Sequence, residues 1–418
     1  MLAVPSAAQA AGEAPVLLGI PGEFILFALT LIGVAVFHRR TLQVALSGLV
    51  AIVAYKLVFT GFDAGPGLAG LASHMRHEWV LLANLLCLLV GFALLADHFE
   101  NSRLPDVLPR FLPDDWKGCF ALLVAVFVLS GFLDNIAATL IGGTIAASVF
   151  KRKVHVGYLA AIVAAANAGG AGSVVGDTTT TMMWLGGVGP LTVIDAYVAA
   201  AVALLACGIP AAMQQQRYAP IMKNEGPHPP LDWARIAIVA LILAAAIAAN
   251  VAVNLRFRNL IGNFPAIGAA VWVVIIACAG WRRPGWTLIP EAFKGSAFLL
   301  ALVTCVSLMP VEKLPPASWH SSFSLGFISA VFDNIPLTAL ALRQGGYDWA
   351  MLAFAVGFGG SMTWFGSSAG VALANVYPET KSVGRWIMHG WHVPVAYVAG
   401  FLAMLALRGW HPGAGPGG

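Results

Sequence analysis

A stretch of 33 residues, 118–150, contains a single charged side chain, Asp134, and is bounded by Lys117 and Lys151. As one helix it would be about 50 Å long, whereas the hydrocarbon core of a bilayer is about 30 Å thick. Positive charge at both ends places both ends on the cytoplasmic side of a membrane. The stretch is therefore predicted to be a re-entrant hairpin that enters and leaves on one face, with Asp134 at its tip.

The composition predicts the membrane environment that this hairpin requires. Hydrophobic residues make up 59% of the 418 residues, charged residues only 10%, and the mean hydropathy is +0.82. These values are typical of an all-α polytopic membrane protein and exclude a soluble domain. Windows of about 19 residues predict spans at 16–37, 42–60, 79–97, 190–213, 233–252, 262–281, 295–310 and 389–407.

Several function classes are disfavoured by the motifs that the sequence lacks. It has no glycine-rich phosphate loop with its lysine, which disfavours ATP-driven transport, and no nucleophile–base or His-Glu-x-x-His motif, which disfavours an enzyme. The net charge of +4 comes from lysines and arginines in short loops, a pattern that sets membrane orientation and does not indicate nucleic-acid binding. The five cysteines are scattered singly and are interpreted as packing residues.

The Asp-Asn dipeptide of the first hairpin occurs a second time, which indicates an internal duplication. Residues 133–139 read Leu-Asp-Asn-Ile-Ala-Ala-Thr and residues 332–338 read Phe-Asp-Asn-Ile-Pro-Leu-Thr. A carboxylate inside a membrane is costly, so two in matching settings suggest one site built twice. The second copy predicts a second re-entrant hairpin at about 319–342.

Each predicted hairpin is followed by an apolar stretch that a glycine-rich segment interrupts. The first runs from 156 to 187 with the break at 169–177, and the second from 348 to 375 with the break at 359–368. Glycines and hydroxyl side chains at mid-span are what an unwound helix needs, because its freed backbone groups must find partners away from water. Two discontinuous helices are therefore predicted, which brings the total to about ten full spans.

Five crossings between the hairpins make the second hairpin enter from the opposite face, so the predicted fold is an inverted repeat. The first repeat covers 16–225 and the second 226–408, with tails at 1–15 and 409–418. With the N-terminus extracytoplasmic, this topology places 16 of the 23 Lys and Arg residues in the cytoplasm and six outside, with Lys56 in a span. The small-residue segment 6–11 is interpreted as a signal remnant or a short exported tail of a protein in a bacterial-type inner membrane.

The candidate site lies where the hairpin tips and the helix breaks meet. Its predicted ligands are Asp134, Asn135, Ser173, Asp177, Thr178, Thr179, Asp333, Asn334, Ser361, Ser367 and Ser368. All are hard oxygen donors, suited to a small hard cation such as Na⁺ at Asp134, Asp177 and Asp333. No arginine or histidine lies near either motif, so an anionic substrate would be repelled.

Such a site can exchange a cation for a proton. Burial disfavours the charged form of a carboxylate and a bound cation favours it, so one aspartate can hold either ion. By symmetry, Asp134 and Asp333 are predicted to be the exchanging groups, with Asp177 as a third. The alternative for all three is a helix-capping role, and Asn135 and Asn334 can equally serve the backbone of the tips. Asp97, near the end of a predicted span, is interpreted as an interface residue.

These motifs resemble those of the NhaD-type sodium/proton antiporters of the ion-transporter superfamily, which also includes arsenite permeases and citrate or dicarboxylate carriers. The matching segments are 133–143, 176–182, 359–361 and 366–372, and the resemblance covers roughly residues 80–407. It implies Na⁺ (or Li⁺)/H⁺ antiport without a resident cofactor, two hairpins, an ion site between tips and breaks, and a homodimer in the lipid bilayer. Ser367 stands where the first repeat has Asp177, so arsenite or organic-anion transport is the alternative.

Overall fold

The computed structural model describes residues 16–17, 20–37, 40–62, 65–107, 111–222, 230–257, 260, 263–311 and 314–413. The predicted tail 1–15 and the last part of the tail 409–418 lie outside these residues. Two short strands, β1 (Val16–Leu17) and β2 (Ile20–Pro21), pair antiparallel.

The helices of the described residues follow in chain order. They are α1 (Gly22–Val36), α2 (Thr41–Tyr55), α3 (Gly67–Glu100), α4 (Leu104–Val107), α5 (Trp116–Ser130), α6 (Asn135–Val149), α7 (Val156–Ala171), α8 (Thr178–Leu185), α9 (Pro190–Ile194), α10 (Ala196–Tyr218), α11 (Trp233–Leu255), α12 (Ala266–Cys278), α13 (Ile289–Ser307), α14 (Trp319–Ser329), α15 (Asn334–Gln344), α16 (Trp349–Gly359), α17 (Ser368–Val376), α18 (Val383–His389) and α19 (His392–Arg408). A π-helical turn, Lys56–Thr60, extends α2.

The architecture is that of a polytopic helical membrane protein. Within the described ranges, five helical stretches are long and apolar enough to cross a bilayer, namely 41–60, 67–100, 190–218, 233–253 and 286–307. A sixth crossing results if α18 and α19, which are bent by 61° relative to each other, count as one span. Shorter apolar helices, among them α5, α6 and α7, lie at the segments predicted to be hairpins or broken spans.

Helix α3 differs most from its predicted span, because it has 34 residues where the hydropathy window gave 79–97. The polar residues in its first half lower the local hydropathy, but they find partners in the fold. His74 Nε2 lies 2.9 Å from Ser307 Oγ, and Glu78 forms an ion pair of 3.8 Å with Arg343. Because these polar groups have partners, the helix can continue through a segment that the hydropathy window did not predict to be part of a span.

The stretch 118–150 folds as two helices that meet at Asp134. Asp115 caps the start of α5 by accepting a hydrogen bond from Lys117 N, and α5 ends at Ser130. After the turn at 131–134, α6 runs back along α5, and at Gly142 a β-carbon would lie only 2.5 Å from Val126 Cγ2. Each helix has 15 residues and is about 22 Å long, shorter than the hydrocarbon core.

The second Asp-Asn segment has the same organisation. Helix α14 starts at Ser318, which forms a capping box with Ser321, and α15 starts after Asp333. The backbone angles of the two tip aspartates agree closely: φ −53° and ψ 142° at Asp134, φ −53° and ψ 141° at Asp333. Helix α14 packs against α16, and α15 packs against α13 and α16.

Both predicted helix breaks are present at the centre of the structure. Helix α7 ends at Ala171 and α8 resumes at Thr178, while α16 ends at Gly359 and α17 resumes at Ser368. Every residue of α16 and nearly every residue of α7 is buried, as expected of helices that are apolar on all sides. The two helices contact each other and are surrounded by α5, α10 and α19. A second group, α1, α2, α3, α11, α12 and α13, packs on one flank.

Candidate functional site

A cavity of about 620 Å³ lies between α3 and α13 on one side and the two helix tips and breaks on the other. Its inner end is lined by the polar residues Asp134, Asn135, Asp177, Thr178, Asn334 and Ser368. Its other end is lined by Asp97 and Glu100, at the end of α3. Apolar side chains such as Leu88, Phe92 and Leu299 form the walls between these ends.

All three aspartates of the motifs cap helices, so the capping role is what the structure shows. Asp134 Oδ2 accepts a hydrogen bond of 3.2 Å from Ile136 N, and Asp333 Oδ1 one of 3.1 Å from Ile335 N. Asp177 Oδ1 accepts one of 3.3 Å from Thr179 N. The N-termini of α6, α8 and α15 carry partial positive charge, which stabilises ionised carboxylates beside them.

Capping leaves the three carboxylates with different numbers of available oxygens. Asp134 accepts hydrogen bonds only from backbone N–H groups of the described residues, at the start of α6, and its carboxylate lines the cavity. Asp177 Oδ2 accepts a short hydrogen bond of 2.6 Å from Thr179 Oγ1, and Asp333 Oδ2 accepts one of 2.9 Å from Ser368 Oγ. Of the three carboxylates, Asp134 therefore has the oxygen atoms most available to bind a cation.

One fully buried asparagine, Asn167 in α7, links the two halves of the site. Its Oδ1 accepts a hydrogen bond of 2.9 Å from Asn135 Nδ2, at the start of α6. Its Nδ2 lies 2.9 Å from Ser361 Oγ and 3.3 Å from Ser367 Oγ, in the second helix break. Asn135 Nδ2 also donates to Asp177 Oδ1 at 3.2 Å. A continuous network thus joins the first hairpin tip to both breaks.

The two hairpins are attached to the two breaks by equivalent hydrogen bonds. Ser173 Oγ in the first break donates to Gly131 O at 2.6 Å, and Thr363 Oγ1 in the second donates to Ala330 O. Close backbone approaches also correspond. A β-carbon on Gly169 would lie 2.0 Å from Phe127 O, and one on Gly359 would lie 2.3 Å from Gly326 O. Glycine is required at both positions because no side chain fits.

The equivalence fails at the centre of the site. At the position corresponding to Asn167, the helix before the second break has Gly357, where a β-carbon would lie 3.2 Å from Asp177 Oδ2. Asn334, the counterpart of Asn135, therefore lacks the asparagine partner, and its Nδ2 is buried without a hydrogen bond to the described residues. The site is asymmetric, because Asp177 and Asn167 both lie at the first break.

The charged residues that line the cavity are all acidic: Asp97, Glu100, Asp134 and Asp177. No lysine, arginine or histidine of the described chain is among the lining residues. Nor does any group of three His, Cys, Asp or Glu side chains within the described ranges come close enough to hold a metal ion. A cation in this cavity would be shared between carboxylates and amide or hydroxyl oxygens.

Several known proteins that are similar to this chain are named as antiporters, and no family model matches it. Sodium/proton antiporter 1 of Arabidopsis thaliana is 28% identical over 363 residues, which cover 77% of this chain and 59% of that protein. The Na⁺/H⁺ antiporter NhaD of Alkalimonas amylolytica is 24% identical over 391 residues, 80% of this chain and 78% of that protein. The NhaD of Vibrio parahaemolyticus is 24% identical over 350 residues, 72% and 84%.

The chain is related to the NhaD-type sodium/proton antiporters. This confirms the resemblance predicted from the Asp-Asn and glycine-rich motifs. The chain spans 59% of the length of the first Arabidopsis protein, which is less than two thirds of it. The relatives are named as antiporters and none of these three as an enzyme.

The structure brings most of the motif residues together, but not all of them line the cavity. Four of them are not among the lining residues. Thr179 donates to Asp177, Ser361 and Ser367 accept from Asn167, and Asp333 accepts from Ser368. Ser173 does not line the cavity, and its hydroxyl donates a hydrogen bond to the backbone oxygen of Gly131 in the first hairpin.

The sequence analysis missed Asn167 and Glu100. Asn167 is the only polar side chain in the run Ala164–Ala168, and a polar residue inside an otherwise apolar buried helix was a signal for it. Glu100 lies three residues beyond the predicted span 79–97, where a carboxylate is common, so no pattern in the sequence indicated a role for it. Only the cavity relates Glu100 to the site.

Proposed function

We propose that this chain is a secondary active transporter that exchanges Na⁺ or Li⁺ for protons at carboxylates in the middle of the membrane. The observation that carries the proposal is a cavity whose charged lining is entirely acidic and which ends at Asp134 and Asp177. An all-acidic cavity with apolar walls attracts cations and repels anions. The names of the related antiporters supply the identity of the ions.

The exchange follows from competition for one carboxylate. Desolvation favours the protonated form of Asp134, while a cation in contact with Oδ1 favours the ionised form, so each ion displaces the other. If only the proton-loaded and cation-loaded forms cross between the two faces, a proton gradient drives cation movement the other way. Asp134 is the principal exchanging group in this scheme, with Asp177 and Asp333 as its partners.

The remaining ligands come from the neutral oxygens at the inner end of the cavity. Asn135, Thr178, Asn334 and Ser368 line the same cavity as Asp134, and each carries a side-chain oxygen. Hard oxygen donors of this kind suit a small monovalent cation, which needs several of them to replace its water. Ser361 and Ser367 act through Asn167, which orients the first hairpin tip.

The proposed topology is an inverted repeat of 16–225 and 226–408, with both hairpins re-entrant and the N-terminus outside the cytoplasm. The matching tip angles of Asp134 and Asp333 and the paired hydrogen bonds of Ser173 and Thr363 support the duplication. The excess of lysine and arginine at one set of loops supports the orientation. In this arrangement the protein resides in a bacterial-type inner membrane as a homodimer without a resident cofactor.

The proposal is tested by purified protein in liposomes with an imposed pH gradient that a fluorescent probe reports. Sodium, lithium, potassium and arsenite are added in turn. Asp134→Asn preserves the cap but removes the charge, and Asp195→Asn, at an exposed ion pair with Arg408, is the matched control. Sodium- or lithium-dependent dissipation in the wild type and in Asp195→Asn, absent in Asp134→Asn, is expected.

The pH range from about 6 to 9 brackets the pKa that burial gives to carboxylates in general. If the wild type responds to no alkali cation in this range, the proposed antiport is wrong. Uptake of arsenite or of an organic anion would then establish the alternative carrier of the same superfamily. The acidic lining disfavours the organic anion.

A further inference from the structure

The cavity connects the ion site to one end of α3, where Glu100 and Asp97 are its charged lining residues. This end of α3 is followed by Arg103 and faces the loop that contains Arg282 and Arg283. These basic residues belong to the loops proposed to be cytoplasmic. The cavity therefore opens toward the cytoplasm.

Glu100 and Asp97 differ in how their carboxylates are used. Asp97 Oδ2 accepts a hydrogen bond of 3.0 Å from Gly285 N, and Oδ1 accepts one of 3.0 Å from Asn101 Nδ2. Asp97 thus attaches the loop before α13 to α3. Glu100 is exposed, and its side chain has neither a hydrogen bond nor an ion pair with the described residues. The negative charge of Glu100 is therefore not neutralised by an ion pair with the described residues.

Three of the basic residues nearby line a different depression. Arg103, three residues after Glu100, lines a separate depression together with Asp232, Arg235 and Arg282. Asp232 there accepts a hydrogen bond of 2.9 Å from Arg282 Nε. The cavity itself has acidic groups at both ends and apolar walls between them. Walls of low permittivity concentrate the field along such a passage.

The inner end of the passage contains an amide group, that of Asn334, with an unsatisfied hydrogen-bonding atom. Asn334 is only 3% exposed, lines the cavity, and has a buried Nδ2 without a hydrogen-bond partner among the described residues. Because no hydrogen bond fixes Nδ2, the side chain can reorient, and its Oδ1 becomes a ligand for a cation when it turns toward the cavity. An unsatisfied amide at the end of an acidic passage is therefore the second observation that points to a cation.

We infer that Glu100 is a capture residue for the transported cation, which it concentrates at the cytoplasmic mouth of the cavity before the cation reaches Asp134. The inference rests on the proposed antiport and assigns Glu100 a part in the delivery of the ion. Glu100 does not belong to the exchanging site, so removing its charge slows loading at low cation concentration and leaves the exchange step unchanged. The effect is electrostatic and is screened by salt.

The test compares Glu100→Gln with wild type in everted membrane vesicles, which expose the cytoplasmic face. The matched control is Glu291→Gln, since Glu291 is an exposed carboxylate in the first turn of α13 but is not a lining residue. At roughly 0.01 M ionic strength, where the Debye length is about 30 Å, Glu100→Gln is expected to raise the KM for Na⁺ about twofold to fivefold. The maximal rate stays at the wild-type value, and at roughly 1 M choline chloride the KM difference disappears.

Three results would overturn the inference. If the wild type is active and Glu100→Gln has the same KM for Na⁺ at low ionic strength, Glu100 has no capture role. An equal rise of KM in Glu291→Gln shows a general surface-charge effect. A lower maximal rate with unchanged KM places Glu100 in the exchange step. Absence of sodium-dependent exchange in the wild type is a separate outcome, because it overturns the proposed antiport itself.

Discussion

Replacing Asn167 by alanine should destabilise the protein and weaken the ion site at the same time. The substitution removes hydrogen bonds to Asn135, Ser361 and Ser367, all inside a fully buried network. A buried hydrogen bond contributes about 1 kcal/mol net, and more when its partner is left unsatisfied. Asn135 retains Asp177 as an acceptor. The expected loss is therefore about 2–3 kcal/mol.

For a chain of 418 residues, this loss corresponds to a decrease of about 2–4 °C in the Tm. The assay is thermal unfolding of the detergent-solubilised protein, with the KM for Na⁺ measured in liposomes. The control is Asn375→Ala, an exposed asparagine that accepts a hydrogen bond from Lys381 and whose removal should cost less than about 0.5 kcal/mol. We expect a raised KM in Asn167→Ala only. An Asn167→Ala protein with both the Tm and the KM of the wild type would refute the linking role of Asn167.

Two glycine substitutions test the packing of the breaks. Gly357→Ala would place a β-carbon 3.2 Å from Asp177 Oδ2, so we expect a folded protein whose KM for Na⁺ is raised several-fold in the liposome assay; a wild-type KM would show that this contact does not matter. Gly169→Ala would place its β-carbon 2.0 Å from Phe127 O, and we expect a loss of about 3 kcal/mol or more, seen as a low yield of folded protein by size exclusion. Gly384→Ala has no neighbour within 4 Å and should behave as wild type in both assays, whereas a wild-type yield for Gly169→Ala would contradict the close approach.

Local rules predicted the hairpin tips and helix breaks well. A stretch too long for one span, with a single carboxylate at its middle, favours a turn at that residue, and the structure turns and caps a new helix at Asp134 and Asp333. The breaks followed from glycines and hydroxyls at mid-span, and the structure interrupts both helices there.

Long-range contacts explain what the sequence analysis did not predict. The length of α3 depends on partners such as Ser307 and Arg343, which lie far away in the chain. The role of Asn167 depends on hydrogen bonds to residues nearly 200 positions later. Ser173 was expected to be a ligand, but whether it bonds an ion or the backbone of Gly131 is decided only by the packing of hairpin on break.

The most direct measurement is the affinity of the purified protein for Na⁺ as a function of pH, for the wild type and for Asp134→Asn. If one carboxylate holds either ion, protons compete with Na⁺, and the Kd should rise by about tenfold for each unit that the pH falls through the acidic limb. Asp134→Asn should bind Na⁺ weakly and without this dependence. A wild-type Kd that is constant across the same pH range would contradict proton–cation competition at the site.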